Sequence, residues 1–278
     1  MMVNNMSLAW RLATLAGAAL MGLLWSAPLL WALSTALRPE LETVSGRLQW
    51  LPHTWTLDAF VRVLSAGNLP LWLFNSTLVT LLVTALTMAV SVPAAYVFSQ
   101  MRFRGRQLLF AISMLAIMLP FEALVVPLFR MMNQLHLVDS YAGVILPQLV
   151  SPMAIYVFKQ AFDAVPDEFR DAALIDGASH WQVLWKIYVP VSGNIVWAMS
   201  IVTFIGAWNN FLWPYIIITS PDRMTIPLGL TQTQDAFGIR YAQAMAAALL
   251  GGMPVALAYL LFQGRVMRGM LAAAGLKG

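Results

Sequence analysis

The sequence predicts an all-α, polytopic membrane protein with six transmembrane helices. Hydrophobic residues make up 60% of the 278 positions and charged residues only 10%, whereas about a quarter of a soluble domain is charged. The apolar residues also fall into runs long enough to cross about 30 Å of hydrocarbon, which takes about 20 residues in a helix. The net charge of +4 is modest, and we interpret it as charge that sets membrane orientation rather than as a nucleic-acid-binding surface.

The first span is predicted in the uncharged run 12–37. This run is longer than the core of a signal peptide, which has about 7 to 15 apolar residues, so residues 1–37 are expected to be a retained N-terminal transmembrane helix. Residues 38–70 then turn polar and contain Trp50 and Trp55. They are expected to form a separate segment outside the membrane, or a surface that the two tryptophans attach to the membrane interface.

Positive charge predicts the orientation of the spans. The second span, about residues 71–100, is followed by three arginines, and loops rich in positive charge stay on the cytoplasmic side. With that loop, both termini and residues 166–190 inside, the cytoplasmic side holds ten of the 16 lysines and arginines: Arg11, Arg102, Arg104, Arg106, Lys159, Arg170, Lys186, Arg265, Arg268 and Lys277. We therefore expect both termini in the cytoplasm.

The third span, about residues 107–132, is expected to be irregular. Pro120 and Pro127 lie inside it, and proline breaks or kinks a helix because it lacks the N–H that would pair there. Glu122 lies between them and is the only acidic residue within a predicted span. Such a carboxylate usually faces the interior or pathway of a helical bundle, but Glu122 is also far enough along the span to lie at the outer interface.

Residues 166–190, which we call the elbow, follow the fourth span at about residues 142–162. The elbow is the only long polar interruption in the C-terminal two-thirds of the chain. Pro166 can begin a short helix because its missing N–H would be unpaired there, and Gly177 ends that helix. The elbow is expected to lie outside the membrane.

A second short helix is predicted in the elbow. Ser179 and Gln182 have the spacing of a capping box, in which each side chain bonds to the backbone N–H of the other. The helix is therefore expected to begin at His180 and to end before Pro190.

The fifth and sixth spans complete the bundle. The fifth covers about residues 191–220 and contains WNNFLWP at residues 208–214, which places two adjacent amides in an apolar helix. Such amides need partners, and neighbouring helices can supply hydrogen bonds. A loop at 221–240 leads to the sixth span at about residues 241–263, and residues 264–278 form a positively charged tail.

Three spaced sets of residues resemble the permease subunits of bacterial binding-protein-dependent ABC importers. The loop of that family is written EAA, three residues, G, nine residues, I-x-L-P, and the elbow matches it at Asp171-Ala172-Ala173, Gly177 and Ile187-Tyr188-Val189-Pro190. Asp171 replaces the usual Glu and Val189 the usual Leu, and both changes keep the chemical type. Residues 208–214 are similar to the family's W-N-x-F-L-x-P, and residues 274–278 to the A/G-G-x-K-G ending of carbohydrate-type permeases.

The resemblance covers nearly the whole chain and implies the type I ABC importer transmembrane-domain fold. Residues 71–263 would be its core, and residues 38–70 an extracytoplasmic segment between the first two helices. The elbow would consist of cytoplasmic coupling helices that dock into a groove on an ATPase subunit, with contacts expected at Asp171, Ala172, Ala173, Asp176 and Gly177. Without the family pattern, a charged loop of this kind would be interpreted as an ordinary amphipathic linker.

The resemblance also implies the assembly and the cargo. The expected partners are a second permease subunit, usually a different chain, two ATP-binding cassette ATPase subunits and an extracytoplasmic solute-binding protein. The expected solute is a sugar or a sugar-like compound, since the carbohydrate-type group includes permeases for maltose, multiple sugars and glycerol 3-phosphate. Residues 264–278 would either lie near the ATPase subunit or form a positive flank of the membrane.

Four residues are candidates for the substrate pathway: Glu122, Trp208, Asn209 and Asn210. The amides could bind the hydroxyls of a sugar and the tryptophan could stack on its ring, but hydrogen bonds between helices and ordinary packing account for the same residue types. Glu122 also supports a different class of protein, an ion- or proton-coupled secondary transporter in which it is the coupling carboxylate. A structural membrane protein without solute flux is a third alternative.

Several chemistries are excluded by what the sequence lacks. It has no G-x-x-x-x-G-K-[ST] phosphate loop, so energy for transport is expected from separate ATPase subunits. It has no cysteine, and its three histidines, His53, His136 and His180, have no metal-ligand spacing. We therefore expect neither an enzyme nor a protein with a cofactor or a bound metal.

Overall fold

The structure is built from helices. The computed structural model describes residues 8–44, 50–65, 68–233 and 240–273, and no β-strand occurs among them. In chain order the helices are α1 (Leu8–Ala36), α2 (Glu40–Thr43), α3 (Asp58–Ser65), α4 (Leu69–Gln100), α5 (Arg106–Leu115), α6 (Phe121–Gln134), α7 (Tyr141–Ile145), α8 (Pro152–Asp163), α9 (Asp167–Ile175), α10 (His180–Val183), α11 (Val189–Val191), α12 (Gly193–Trp208), α13 (Leu212–Ile217), α14 (Ile226–Gly229) and α15 (Tyr241–Ala273).

Three long helices confirm the first, second and sixth predicted spans. Helices α1, α4 and α15 are each long and apolar enough to cross a membrane, and three bent helix pairs bring the number of candidate spans to six among the described residues. The helical path of α15 continues past the predicted span to Ala273. Residues 274–278, whose pattern resembles the ending of carbohydrate-type permeases, lie outside the described residues.

The chain divides into two compact units. One contains residues 1–69 and 230–251, and the other contains residues 70–229 and 252–278. The elbow and all four candidate pathway residues belong to the second unit.

Polar contacts hold the first unit together where α1 ends. The buried Arg38 guanidinium donates a hydrogen bond to the Ser34 hydroxyl over 2.9 Å. A carboxylate oxygen of Glu40 accepts the backbone N–H of Ala242, over 3.2 Å, at the start of α15. A carboxylate is favourable there because a helix begins with unpaired N–H groups and a partial positive charge.

The third and fourth spans are broken helices. A 3₁₀ turn extends α5 to Met118, and the extended helix meets α6 at 104° with Pro120 between them, which confirms the predicted break. The fourth span is bent by 45° between residues 141–148 and α8. This second break was not predicted from the sequence, and Pro147 and Pro152 explain it because neither residue can donate a helical hydrogen bond.

The fifth span is also interrupted, which corrects the prediction of a single helix. Helix α12 ends at Trp208 and α13 begins at Leu212. Asn209 and Asn210 therefore lie in a break rather than inside an apolar helix. The interruption has two local causes, since asparagine side chains compete for backbone hydrogen bonds and Pro214 lacks the N–H that would pair with the Asn210 carbonyl.

Helical structure in the elbow runs past its predicted end. A π-helical turn at Leu184–Tyr188 leads from α10 into α11, so the path that begins at His180 continues to Val191 rather than ending before Pro190. Pro190 lies directly after the π-helical turn and one residue before the end of this path. The chain then bends by 83° into α12.

Asp139 fastens the turn after α6 to the end of the fifth span. Its backbone N–H donates to the Ile217 carbonyl over 2.8 Å. Its carboxylate accepts hydrogen bonds from the Thr219 and Ser220 N–H groups, each over 3.0 Å, and from the Ser220 hydroxyl and the Arg223 guanidinium. Burial alone would raise the pKa of the Asp139 carboxyl, but these hydrogen bonds and the Arg223 charge outweigh burial and lower the pKa below its ordinary value of 3.8.

We expect Asp139→Asn to lower the free energy of unfolding by about 1 to 3 kcal/mol at neutral pH, because hydrogen bonds to a charged group are lost. Because folding lowers the pKa of the Asp139 carboxyl, its ionised form stabilises the fold at pH values above the ordinary pKa of 3.8. This stabilisation is lost as the pH falls through the folded-state pKa of Asp139. Thermal unfolding in detergent as a function of pH measures the difference. Asp222→Asn, at an exposed carboxylate nearby, is the matched control, and a pH-independent difference between wild type and Asp139→Asn would contradict this account.

Candidate functional site

The residues expected to contact an ATPase lie on α9 and immediately after it. Asp171, Ala172, Asp176 and Gly177 are exposed, and Ala173 is half-buried. The helix begins directly after Pro166, and its first turn carries Asp167 and Glu168, which is favourable at the positive end of the helix dipole. The motif is therefore presented on the surface of a regular helix.

Gly177 ends α9 in a Schellman motif. Its φ angle is 81°, in the left-handed region that glycine adopts without a steric penalty. The N–H of Gly177 donates to the Leu174 carbonyl over 3.1 Å, and the N–H of Ala178 donates to the Ala173 carbonyl over 2.9 Å. These two bonds satisfy carbonyls at the helix end and turn the chain sharply.

The predicted capping box is confirmed at the next helix. The Ser179 hydroxyl accepts the N–H of Gln182 over 3.3 Å, and the Gln182 side-chain oxygen accepts the N–H of Ser179 over 2.9 Å. This cap starts the helical path His180–Val191, which we call the second arm of the elbow. The elbow thus consists of α9 and the second arm, which meet at the glycine turn.

Arg170 fastens α9 to the end of α4. Its guanidinium donates to the Gln100 side-chain oxygen over 2.7 Å and to Asp171 Oδ1 over 2.8 Å, and it lies 3.0 Å from Asp167 Oδ1. The hydrogen bond with Asp171 and the two negative charges outweigh burial and raise the pKa of the Arg170 guanidinium above its ordinary value. The Asp171 carboxylate is therefore held in a fixed orientation by its own helix while it remains exposed.

An aromatic cluster joins the second arm to α4 and α8. Tyr188 packs edge-to-face on Tyr96 with ring centres 5.2 Å apart and on Phe162 at 5.6 Å. All three rings are buried, and the Tyr96 hydroxyl lies 3.2 Å from Nδ1 of His180. Because protein interiors are close-packed and resist compression, a displacement of the second arm must also displace the ends of α4 and α8.

The breaks of the third, fourth and fifth spans meet inside the second unit. Asn210 donates its amide N–H to the side-chain oxygen of Gln148 over 2.7 Å, which connects the fifth break to the fourth. The indole N–H of Trp213 donates to the Gly143 carbonyl over 3.0 Å, and its ring packs on Phe121 of α6 with centres 6.1 Å apart. Irregular backbone at membrane depth requires such protein partners.

The four candidate pathway residues have different surroundings. Glu122, in the first turn of α6, and Asn209 are exposed. Asn210 is half-buried and donates to Gln148. Trp208 is 3% exposed and stacks on Phe204 with ring centres 6.0 Å apart. Glu122 and Asn209 are thus the two members of the set that present a polar side chain at the surface of a break.

Three residues of the site were missed by the sequence analysis. Gln100 and Arg170 fasten α9 to α4, and Gln148 connects two breaks. A signal for Arg170 was present in the sequence but was not used: Asp167 and Arg170 are three residues apart, and residues three apart share a helix face. The contact with Gln100 spans 70 positions in the chain and left no local pattern.

The comparisons with known proteins agree with this geometry. The family model described as "Binding-protein-dependent transport system inner membrane component" matches residues 88–270. The chain is 34% identical over 254 residues to the arabinooligosaccharides transport system permease protein AraQ of Halalkalibacterium halodurans, covering 90% of this chain and 91% of the relative. It is 33% identical over 226 residues to the sn-glycerol-3-phosphate transport system permease protein UgpE of Yersinia enterocolitica, covering 79% and 80%.

A solved structure has the same fold. A chain of a bacterial ABC transporter involved in the import of the acidic polysaccharide alginate superposes with a TM-score of 0.82, at 22% identity, over 93% of this chain and 98% of the other. The likeness supports the type I ABC importer transmembrane-domain fold that the elbow motif implies.

We expect Asn210 and Gln148 to be energetically coupled because they share a hydrogen bond. A double-mutant cycle with Asn210→Ala and Gln148→Ala, measured by thermal unfolding in detergent, should give a coupling energy of about 0.6 kcal/mol and at most about 1.7 kcal/mol, as for hydrogen bonds between membrane helices. The cycle with Asn209→Ala in place of Asn210→Ala is the control and should give a coupling near zero. Equal coupling in both cycles would contradict the role of the Gln148 contact.

Proposed function

We propose that this chain, which belongs to the family of binding-protein-dependent transport system inner membrane components, is the permease subunit of an ABC importer for a sugar or a sugar-like solute. The names of its relatives support this solute class, since they are permeases for arabinooligosaccharides and for glycerol 3-phosphate. Membership of the family does not favour the alternative hypothesis, an ion- or proton-coupled transporter with Glu122 as its coupling carboxylate.

The structure of the elbow is the observation that supports the proposed partners. It presents an exposed, rigidly capped α9 with the family's loop pattern, and Arg170 fixes that helix to α4. We propose that α9 docks into a groove on an ATPase subunit, that two such subunits serve a dimer of this chain with a second permease, and that an extracytoplasmic binding protein delivers the solute. The ten lysines and arginines on the proposed cytoplasmic side support cytoplasmic termini.

The coupling residues have distinct roles in this proposal. Asp171 offers a negative charge that Arg170 holds in place. Ala172 and Ala173 let the ATPase backbone approach closely, since neither has a side chain beyond Cβ. Asp176 caps the helix and Gly177 forms the turn that separates α9 from the second arm.

The contacts of the elbow suggest how docking would open the pathway. ATP-driven closure of the ATPase dimer would move α9, and the cluster around Tyr188 would carry that motion to α4 and α8. The second arm continues through a bend of 83° into α12, so the same motion would reach the breaks of the fourth and fifth spans. A small shift at the docking site would thereby become a rigid-body rearrangement of packed helices.

We further propose that the breaks line the solute pathway. Glu122 and Asn209 would contact the solute, because their side chains are exposed there. Asn210 and Trp208 would support the wall of the pathway without contacting the solute, Asn210 through its hydrogen bond to Gln148 and Trp208 through its stacking on Phe204.

We expect Gly177→Asp to abolish solute uptake while the protein still reaches the membrane. The substitution forces a side chain onto a φ of 81°, which costs about 1 to 2 kcal/mol, and it places a second charge at the turn beside α9. Uptake of labelled arabinooligosaccharide and glycerol 3-phosphate is measured in cells with the cognate ATPase and binding protein, together with co-purification of the ATPase.

Gly105→Asp is the matched control for this experiment. Gly105 has a φ of 84°, and an added Cβ meets nothing within 4 Å at either glycine. Gly105→Asp therefore carries the same backbone strain outside the elbow, and it should retain uptake and the ATPase. Loss of uptake in both variants, or loss of the Gly177→Asp protein from the membrane, would contradict a specific coupling role.

We expect Glu122→Gln and Asn209→Ala to change the KM for uptake. The loss of one hydrogen bond to the solute is worth about 0.5 to 1.5 kcal/mol, which corresponds to about a 2- to 12-fold change in KM. Asn133→Ala, at an exposed asparagine near the end of α6, is the control and should leave KM unchanged. Unchanged kinetics in both pathway variants would return these residues to a purely structural role.

A further inference from the structure

We propose that the second arm, His180–Val191, lies in the lipid–water interface of the membrane, with Trp181 and Trp185 inserted among the lipid headgroups. This inference goes beyond the proposed function, because it assigns the lipid surface rather than the ATPase as the partner of this half of the elbow. It rests on the direction of the arm, on its depth and on the chemistry of its two faces.

The direction of the arm follows from its bend. The arm meets α12 at 83°, so a helix that continues into the membrane along α12 leaves the arm nearly in the membrane plane. By length and composition the arm and α12 pass together as one bent span, but the arm is not needed to cross the bilayer. Helix α12 has 16 residues and α13 has 6, which give about 33 Å of helix at 1.5 Å per residue, enough for about 30 Å of hydrocarbon.

The depth of the arm follows from its contacts. Tyr188 packs on Tyr96, which lies four residues before the end of α4, and on Phe162, which lies one residue before the end of α8. At 1.5 Å per residue, Tyr96 is about 6 Å inside the end of its helix. The arm therefore lies level with the last turns of α4 and α8 and not beyond the ends of these helices, and we assign this level to the headgroup layer.

The two faces of the arm differ in chemistry. Val183, Leu184 and Tyr188 are at most 1% exposed and pack into the core. Trp181 and Trp185 are 61% and 41% exposed, with their rings edge-to-face at 5.5 Å. Tryptophan is enriched at membrane interfaces because its ring is amphipathic, so the exposed pair suits headgroups better than water.

The exposed surfaces of the second arm and α9 differ in charge. The exposed surface of the arm carries Lys186, which is attracted to anionic lipids of the cytoplasmic leaflet. The exposed carboxylates of the elbow all precede the arm, at Asp167, Glu168, Asp171 and Asp176, and anionic lipids repel them. The turn at Gly177 thus separates a water-facing helix from a lipid-facing one.

Site-directed spin labelling tests this placement. The chain has no cysteine, so Trp181→Cys, Trp185→Cys and the control Glu168→Cys each introduce a single labelling site. The labelled full chains are placed in bilayer nanodiscs of equimolar phosphatidylcholine and phosphatidylglycerol. Collision rates with oxygen, which concentrates in lipid, and with a water-soluble nickel chelate are measured with and without the cognate ATPase.

We expect the labels at positions 181 and 185 to collide with oxygen more often than with the nickel chelate, at a depth of about 5 to 10 Å into the interfacial layer between headgroups and acyl chains. The ATPase should leave these values unchanged. The label at position 168 should be accessible to the nickel chelate in the chain alone and should lose that access when the ATPase binds.

Three results would overturn the proposal. Access of the nickel chelate to positions 181 and 185 would place the arm in water. Loss of access only when the ATPase binds would make the arm part of the ATPase contact, and protection from both reagents in the chain alone would indicate a protein contact. Each result can occur whether or not the importer function holds, because that function is tested separately by uptake.

Discussion

The contact among Tyr96, Phe162 and Tyr188 is the interaction on which the rest of the second unit depends. It joins the end of α4, the end of α8 and the second arm in one buried cluster. The glycine turn alone would let the elbow move independently of the membrane helices, and this buried junction holds the second arm to them. Arg170 adds a second, polar connection between α9 and Gln100.

A second constraint is the cost of broken helices in a membrane. Backbone groups at membrane depth have no water to bond with, so each break needs a partner from another helix. The Trp213 indole donates to the Gly143 carbonyl and the Gln148 amide donates to the Val144 carbonyl, while Asn210 bonds the Gln148 side chain and so joins the two breaks. The same side chains that permit the breaks also bring them together, with the exposed Asn209 in one break and the exposed Glu122 in the first turn of the helix that follows another.

Local patterns in the sequence were enough for much of the fold. The lengths of apolar runs predicted α1, α4 and α15, Pro120 predicted the break before α6, and the Ser179 and Gln182 spacing predicted the capping box. The predictions of helix ends failed at prolines inside helical paths and at the two adjacent asparagines. The arm continued through Pro190, and Asn209 and Asn210 fell in a break rather than in a helix.

The sequence by itself determined the class of the molecule, because hydropathy, proline positions and the spaced loop residues act locally and leave periodic patterns. Only the tertiary structure decided which of those residues work together. Gln100 meets Arg170 across 70 positions, and Gln148 meets Asn210 across 62. Such pairings depend on how helices pack, and packing follows from the shapes of all facing side chains at once, so no single stretch of sequence contains it.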